Sequence, residues 1–187
     1  ATIYVDVLRG TPLLVQMYIA YFFLPLVFPA LNKVDKEVTV LIALTLNSSA
    51  YVSEIIRGGI NSVDIGQTEA ARSLGLSAKN TMIKIILPQA VRNILPALGN
   101  EFIMMLKETS LASTFFLGDL MTSYSIVKGV TYLTLEPMTI VAIIYLCMTF
   151  PLSKIVEKFE KKMASPNSYK ARHKKDQKCA QKLGIEQ

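Results

Sequence analysis

Two cysteines and one histidine among 187 residues leave little for redox or metal chemistry. Cys147 lies inside an apolar run and Cys179 in a basic stretch, with no CxxC pair and only His173 to assist. Neither a disulfide framework nor a zinc site is indicated. A single histidine in a polar tail cannot assemble a Ser/His/Asp or Cys/His arrangement, so no catalytic residue, metal or cofactor is expected. There is no GxxxxGK[ST] loop to cradle phosphate, and no solenoid-type repeat. The opening, ATIYVDVLRGTPLLVQ, has neither a charged n-region nor a cleavage site, and no signal peptide is expected.

What the chain does have is apolar residues in long blocks: 51% of the sequence, with a mean hydropathy of +0.38. A bilayer suits such blocks better than water does. A spanning helix needs roughly 20 mostly apolar residues, and four segments approach that length: Leu13 to Ala30, Val38 to Ile56, Leu95 to Leu117 and Met138 to Val156. None shows the strict alternation of barrel strands, so the class is an all-α membrane protein with four spanning helices.

Charge orients these spans. Arg57, Arg72, Lys79, Lys84 and Arg92 flank the loop between spans two and three, whereas the other turns carry Lys33, Lys36 and Lys128. By the positive-inside rule the loop between spans two and three is cytoplasmic and the C-terminus is too. The net charge of +6 arises from Lys154 onward, at the end of the last span and in the tail, where ten Lys/Arg face four Asp/Glu. That tail, residues 164–187 after a transmembrane domain at 1–163, is expected to be disordered and drawn to anionic membrane lipid rather than to nucleic acid. Pro25 and Pro29 should end the first span, Arg57-Gly58-Gly59 should close the second, and a polar turn is expected over Ser123 to Glu136.

The segment EAARSLGLSAKNTMIKIILP, Glu69 to Pro88, is polar and lies between apolar runs. Gln67 to Leu74 is expected to form a short helix stopped by Gly75, with Ser77 capping a second over Ala78 to Leu87. The spacing Glu-Ala-Ala, three residues, Gly75, nine residues, Ile85-x-Leu87-Pro88 resembles the EAA signature of permease subunits of binding-protein-dependent ABC importers. RGTPLLVQ (Arg9 to Gln16), NSSAYVSEIIRGGI (Asn47 to Ile60), LPQAVRNILPALGNEFI (Leu87 to Ile103) and KETSLAS (Lys107 to Ser113) extend the resemblance from Tyr4 to about Lys162. They are similar to the polar and basic amino-acid branch of that family.

The resemblance implies a type I importer fold and a multi-pass subunit of the bacterial cytoplasmic (inner) membrane. Its partners would be a separate ATP-binding subunit, a second permease subunit in a homo- or heterodimer, and an extracytoplasmic amino-acid-binding protein. ATP hydrolysis would belong to the partner. Loop 67–88 would be the coupling element: Ala70 and Ala71 permit close packing, Leu74 supplies an apolar contact, Glu69 and Arg72 supply polar ones, and Gly75 allows the return. Family members usually carry another hydrophobic helix before this stretch, so the chain is expected to be an N-terminally truncated copy.

Charges within an apolar stretch are costly unless paired or facing water, so Lys107, Glu108, Thr109 and Ser110 should face the bundle interior. Two readings stand beside each other: these residues, with Asn47 and with Glu101 as a further candidate, meet an amino acid in transit, or a Lys/Glu pair fixes helix packing. Glu54 and Arg57, three residues apart, share a helical face and serve either a gate or packing. Rival classes remain: an ion channel or secondary transporter using Lys107 and Glu108 as a relay, or a non-functional truncated permease.

Overall fold

The computed structural model describes residues 2–163, and the predicted tail at 164–187 lies outside them. Helix α1, Thr2–Gly10, is followed by α2, Leu13–Tyr18, a π-helical turn at Ile19–Phe23, and α3, Leu24–Val27. The last three run on as one helix, Leu13–Val27, which stands at 103° to α1. The break falls at Thr11-Pro12, where Pro12 takes an extended ψ of 137°. A short 3-10 turn at Pro29–Lys33 leads into α4, Lys36–Asn61.

Next come α5, Ile65–Ser73, α6, Ala78–Thr81, a π-helical turn at Met82–Ile86, and the long α7, Leu87–Glu108. A 3-10 segment, Thr109–Phe115, then gives way to α8, Leu120–Thr131, and α9, Leu135–Met163. All regular structure among the described residues is helical.

By length and composition α4 and α9 can cross a bilayer, and the bent pair of α1 with Leu13–Val27 is a third candidate. The predicted third span differs in extent: its helix starts at Leu87 and ends at Glu108. Pro88 sits in its first turn, where a missing N–H does no harm, and Arg92, Glu101, Lys107 and Glu108 dilute its apolar character. The turn expected over Ser123 to Glu136 is instead mostly α8, nucleated by Asp119, whose carboxylate accepts from the Thr122 N–H at 2.7 Å. Arg57-Gly58-Gly59 does not close α4, which continues to Asn61.

Gly59 serves packing instead. A Cβ there would lie 2.2 Å from Cγ1 of Ile94 on α7. On the other side of α7, a Cβ on Gly99 would lie 2.6 Å from Val156 of α9. α7 is thus seated between α4 and α9, with a glycine notch on each seam. A second cluster joins Leu13, Met17 and Ala20 to Val40, Ala43, Leu44 and Phe115. Tyr18, Tyr21 and Phe22 pack around Phe115 with ring centroids 4.7–6.1 Å apart.

Candidate functional site

The loop between α4 and α7 is a rigid hairpin. Asp64 opens α5 by accepting from the Gly66 N–H at 2.7 Å. Its end is a double hydrogen-bonded turn: Leu76 N–H donates to Ala71 O at 3.1 Å and Gly75 N–H to Arg72 O at 3.0 Å. That pattern needs a left-handed residue at its centre, and Gly75 supplies φ +84° without a Cβ to strain. The Arg72 guanidinium donates to Leu76 O at 2.9 Å and braces the return. Ser77 accepts from the Asn80 N–H, as its capping position predicts.

Sequence reasoning placed the first helix at Gln67 to Leu74; it begins two residues earlier because Asp64 provides the cap. Of the loop's candidates only Ala71 is buried, while Glu69, Ala70, Arg72, Leu74 and Gly75 are exposed. Leu74 is 82% exposed and Ile65 74%. These two aliphatic side chains stand exposed at the two ends of α5. Behind them a cleft is lined by Thr68, Arg72, Ala78, Thr81, Met82 and Ile86. The hairpin is tied to α7 at its root, where Asn93 donates to Ser62 Oγ at 2.8 Å.

Above this root, Glu54 and Arg57 pair as their spacing predicts, with Nε to Oε1 at 2.9 Å. Arg9 of α1 joins them, its guanidinium 3.1 Å from Glu54 Oε2 and 5.3 Å from the centre of the Tyr51 ring. Sequence reasoning missed Arg9, because a contact 45 residues away has no periodic signal. Tyr4 adds a second tie, donating to Leu46 O at 3.1 Å.

Asn47 is buried and donates to Gln16 Oε1 at 3.0 Å and to Leu8 O at 3.3 Å. Gln16 donates to Leu8 O at 2.7 Å and Thr11 Oγ1 at 2.8 Å. Together they hold the 103° elbow between α1 and α2, satisfying carbonyls that the break in the helix leaves free.

Lys107, Glu108, Thr109 and Ser110 stand where α7 tightens into its 3-10 segment. Lys107 and Thr109 are exposed and Glu108 and Ser110 half-buried. The hydroxyls bond backward along the helix, Thr109 to Leu106 O at 2.8 Å and Ser110 to Lys107 O at 2.6 Å. The deeply buried carboxylate is Glu101, 7% exposed, whose Oε1 has no hydrogen-bond partner among the described residues. It faces Ser48 of α4 and Glu108 along its own helix. The structure therefore groups Glu101, Glu108 and Ser48, and places Asn47 apart in the elbow clamp. Among the described residues no three His, Cys, Asp or Glu converge to hold a metal.

Comparison with known proteins gives this geometry a family. Residues 1–165 match the family described as binding-protein-dependent transport system inner membrane component. The arginine transport system permease protein ArtQ of Bacillus subtilis is 42% identical over 165 residues, covering 88% of this chain and 74% of that protein. A putative glutamine transport system permease protein GlnP of Rickettsia typhi is 44% identical over 163 residues, covering 87% and 74%. A crystal structure of an amino acid ABC transporter with histidines superposes with a TM-score of 0.80 at 47% identity, covering 86% of this chain and 74% of that one. The MetNI methionine ABC transporter, at 13% identity and a TM-score of 0.71, shares the fold. The chain belongs to the inner membrane components of binding-protein-dependent transport systems, as a permease subunit of the ABC importer type rather than an enzyme.

Proposed function

We propose that this permease imports polar amino acids across the bacterial inner membrane, with its C-terminus cytoplasmic, and that α5 is the element through which a separate ATP-binding subunit drives it. The observation that carries the reading is the braced hairpin: Glu69, Arg72 and Leu74 point outward from a helix whose end is locked by Gly75. A lever must be stiff at its tip and joined to a long helix at its root, and this one continues directly into α4 and is bonded to α7. The names of the relatives, for arginine and glutamine, support a polar amino-acid cargo. So does the amino acid ABC transporter structure.

An extracytoplasmic binding protein would deliver the cargo, and a second permease subunit would complete the path. Closure of the ATP-binding subunits pushes α5, and the helices rock between two states that differ in access and affinity. Lys107, Glu108, Thr109 and Ser110 supply charge and lone pairs to the passing amino acid, and Asn47 shapes the path from its place in the elbow clamp. Glu54 and Arg57 brace the inner end of α4.

The test uses the importer reconstituted in liposomes with its ATP-binding subunit and binding protein. Gly75→Val forces a β-branched residue into left-handed backbone at a cost of about 1–2 kcal/mol, and Glu69→Lys reverses a charge on the contact face. Both variants are expected to stay in the membrane yet import several-fold less amino acid per ATP hydrolysed. Unchanged import per ATP in both would overturn the coupling role.

A further inference from the structure

The ties between α1 and α4 go beyond what packing of a short helix requires. α1 is nine residues long and its Ile3 and Val7 are exposed, so apolar burial holds it weakly. Polar ties hold it instead, at three points along α4. Tyr4 bonds to Leu46 O, Asn47 bonds to Leu8 O, and Arg9 bonds to Glu54. The Arg9 tie is the lowest of the three on α4 and so the nearest to the hairpin. Glu54 lies two helical turns above Asn61, the last residue of α4, and Asp64, the cap of α5, follows three residues later. It is also the point where α4's own Arg57 bonds to the same carboxylate.

We infer that Arg9 is a positioning residue for transport, joining the base of α4 to the elbow of the first span so that a displacement of α5 reaches α2 as well as α7. The inference rests on α5 being the driven element. A rigid displacement of the hairpin root moves α7 through Ser62 and Asn93 and through the Gly59 notch. α2 has no contact with the hairpin of that kind. It meets α4 at Asn47, which bonds to Gln16, and through the Leu13, Met17 and Ala20 cluster, all farther from the hairpin than Glu54; its link to the base of α4 is α1, which meets it at 103° and is clamped to it by Gln16. Glu54 therefore serves two cations at once: Arg57 fixes the carboxylate's orientation along α4, and Arg9 reads it from α1. The Tyr51 ring beneath the Arg9 guanidinium restricts it to that geometry.

The experiment compares import per ATP hydrolysed in the reconstituted importer for Arg9→Gln, Arg9→Lys, Glu54→Gln, the Arg9→Gln/Glu54→Gln double variant and Tyr4→Phe. Arg9→Gln is expected to lower import per ATP about fivefold, at the low end of site-to-site coupling effects. ATP hydrolysis and recovery of the ATP-binding subunit should stay within about twofold of the parent protein. Arg9→Lys keeps the charge and should restore most of the ratio. Glu54→Gln also frees Arg57 and should lose at least as much as Arg9→Gln, and the double variant should lose no more than Glu54→Gln, since Arg9 acts through that carboxylate.

Tyr4→Phe removes a different tie of the same helix and should leave the ratio unchanged; an equal loss there would mean that mere loosening of α1 is responsible, and would overturn the assignment to Arg9. A normal ratio in Arg9→Gln would overturn it too, as would multiplied losses in the double variant. Gly75→Val, measured alongside, separates the two levels. If it uncouples while Arg9→Gln does not, this inference fails alone; if neither uncouples, the coupling role of α5 fails with it.

Discussion

Adding one methyl group to Gly59 tests whether α4 and α7 meet as closely as the structure shows. In Gly59→Ala the new Cβ would stand 2.2 Å from Ile94 Cγ1, 3.0 Å from its Cδ1 and 3.5 Å from the Ala90 carbonyl oxygen. Carbon atoms need roughly 3.5 Å or more, so the side chain or the helix must retreat by over an ångström. Ile94 is 8% exposed and Ala90 fully buried, so little space is free on the α7 side. Overpacking of this kind costs about 1–3 kcal/mol, equivalent to roughly 3–9 °C in the apparent midpoint for a chain of this size.

The assay is thermal unfolding of the purified chain in one fixed detergent, with Gly59→Ala, Ile94→Ala and the double variant run together. Ile94→Ala removes both clashing carbons, so the double variant should be more stable than the sum of the single losses by about 1 kcal/mol or more. Additive losses, or a Gly59→Ala chain as stable as the parent, would refute the close approach. The matching loss of transport would follow from the same seam, because Ser62 and Asn93 bond three residues beyond Gly59 and beside Ile94.

Two further outcomes are expected. Gly99→Val sets branched carbons against Val156, only 2.6 Å from a Cβ, and should separate α7 from α9; site-directed disulfide cross-linking between cysteines placed on those two helices should then fall, and unchanged cross-linking would count against the contact. Asp64→Ala leaves the Gly66 N–H without its side-chain partner and should cost about 0.5–2 kcal/mol of helix stability, read as faster amide exchange over 65–73; exchange at the parent rate would show that the cap is not what starts the helix.

The loop was legible because its signals are local. Gly75 and Ser77 act within three residues of themselves, and backbone chemistry at that range is written in residue order, though the Asp64 cap that sets the true start of the first helix was not read. Two of the four apolar spans, around α4 and α9, were legible for a related reason: bilayer thickness demands a run of fixed length. α8 was not, since LMTSYSIVKGVT mixes polar and apolar residues without a clear stripe, and its start depends on Asp119 capping after a turn. The Glu101 environment and the Arg9 tie depend on which helices end up adjacent, and no spacing in one segment reports that. Gly59 read as a helix end for the same reason, since glycine marks a terminus and a close contact alike.

α7 is the helix that both glycine seams share. It meets Gly59 of α4 at Ile94 and Val156 of α9 at Gly99, about one and a half turns along the helix and on two separate seams, and each seam brings backbones within a side chain's width. Close backbone contact makes sliding or separation costly, so these seams join α4, α7 and α9. α1 has no such notch and no buried residue, and it is bound by directional polar groups instead, Tyr4, Arg9, Gln16 and Asn47, while the 13–27 helix is packed on α4 through Leu13, Met17 and Ala20. Hydrogen bonds and ion pairs tolerate rotation that interlocked helices do not, so the elbow is the part of the bundle able to change angle while remaining attached. Glu101 lies on α7 between these two regimes, a buried carboxylate with one oxygen unpartnered among the described residues, facing Ser48 one position from the Asn47 clamp. On the proposed coupling, a change of elbow angle would alter the surroundings of that carboxylate without breaking either glycine seam.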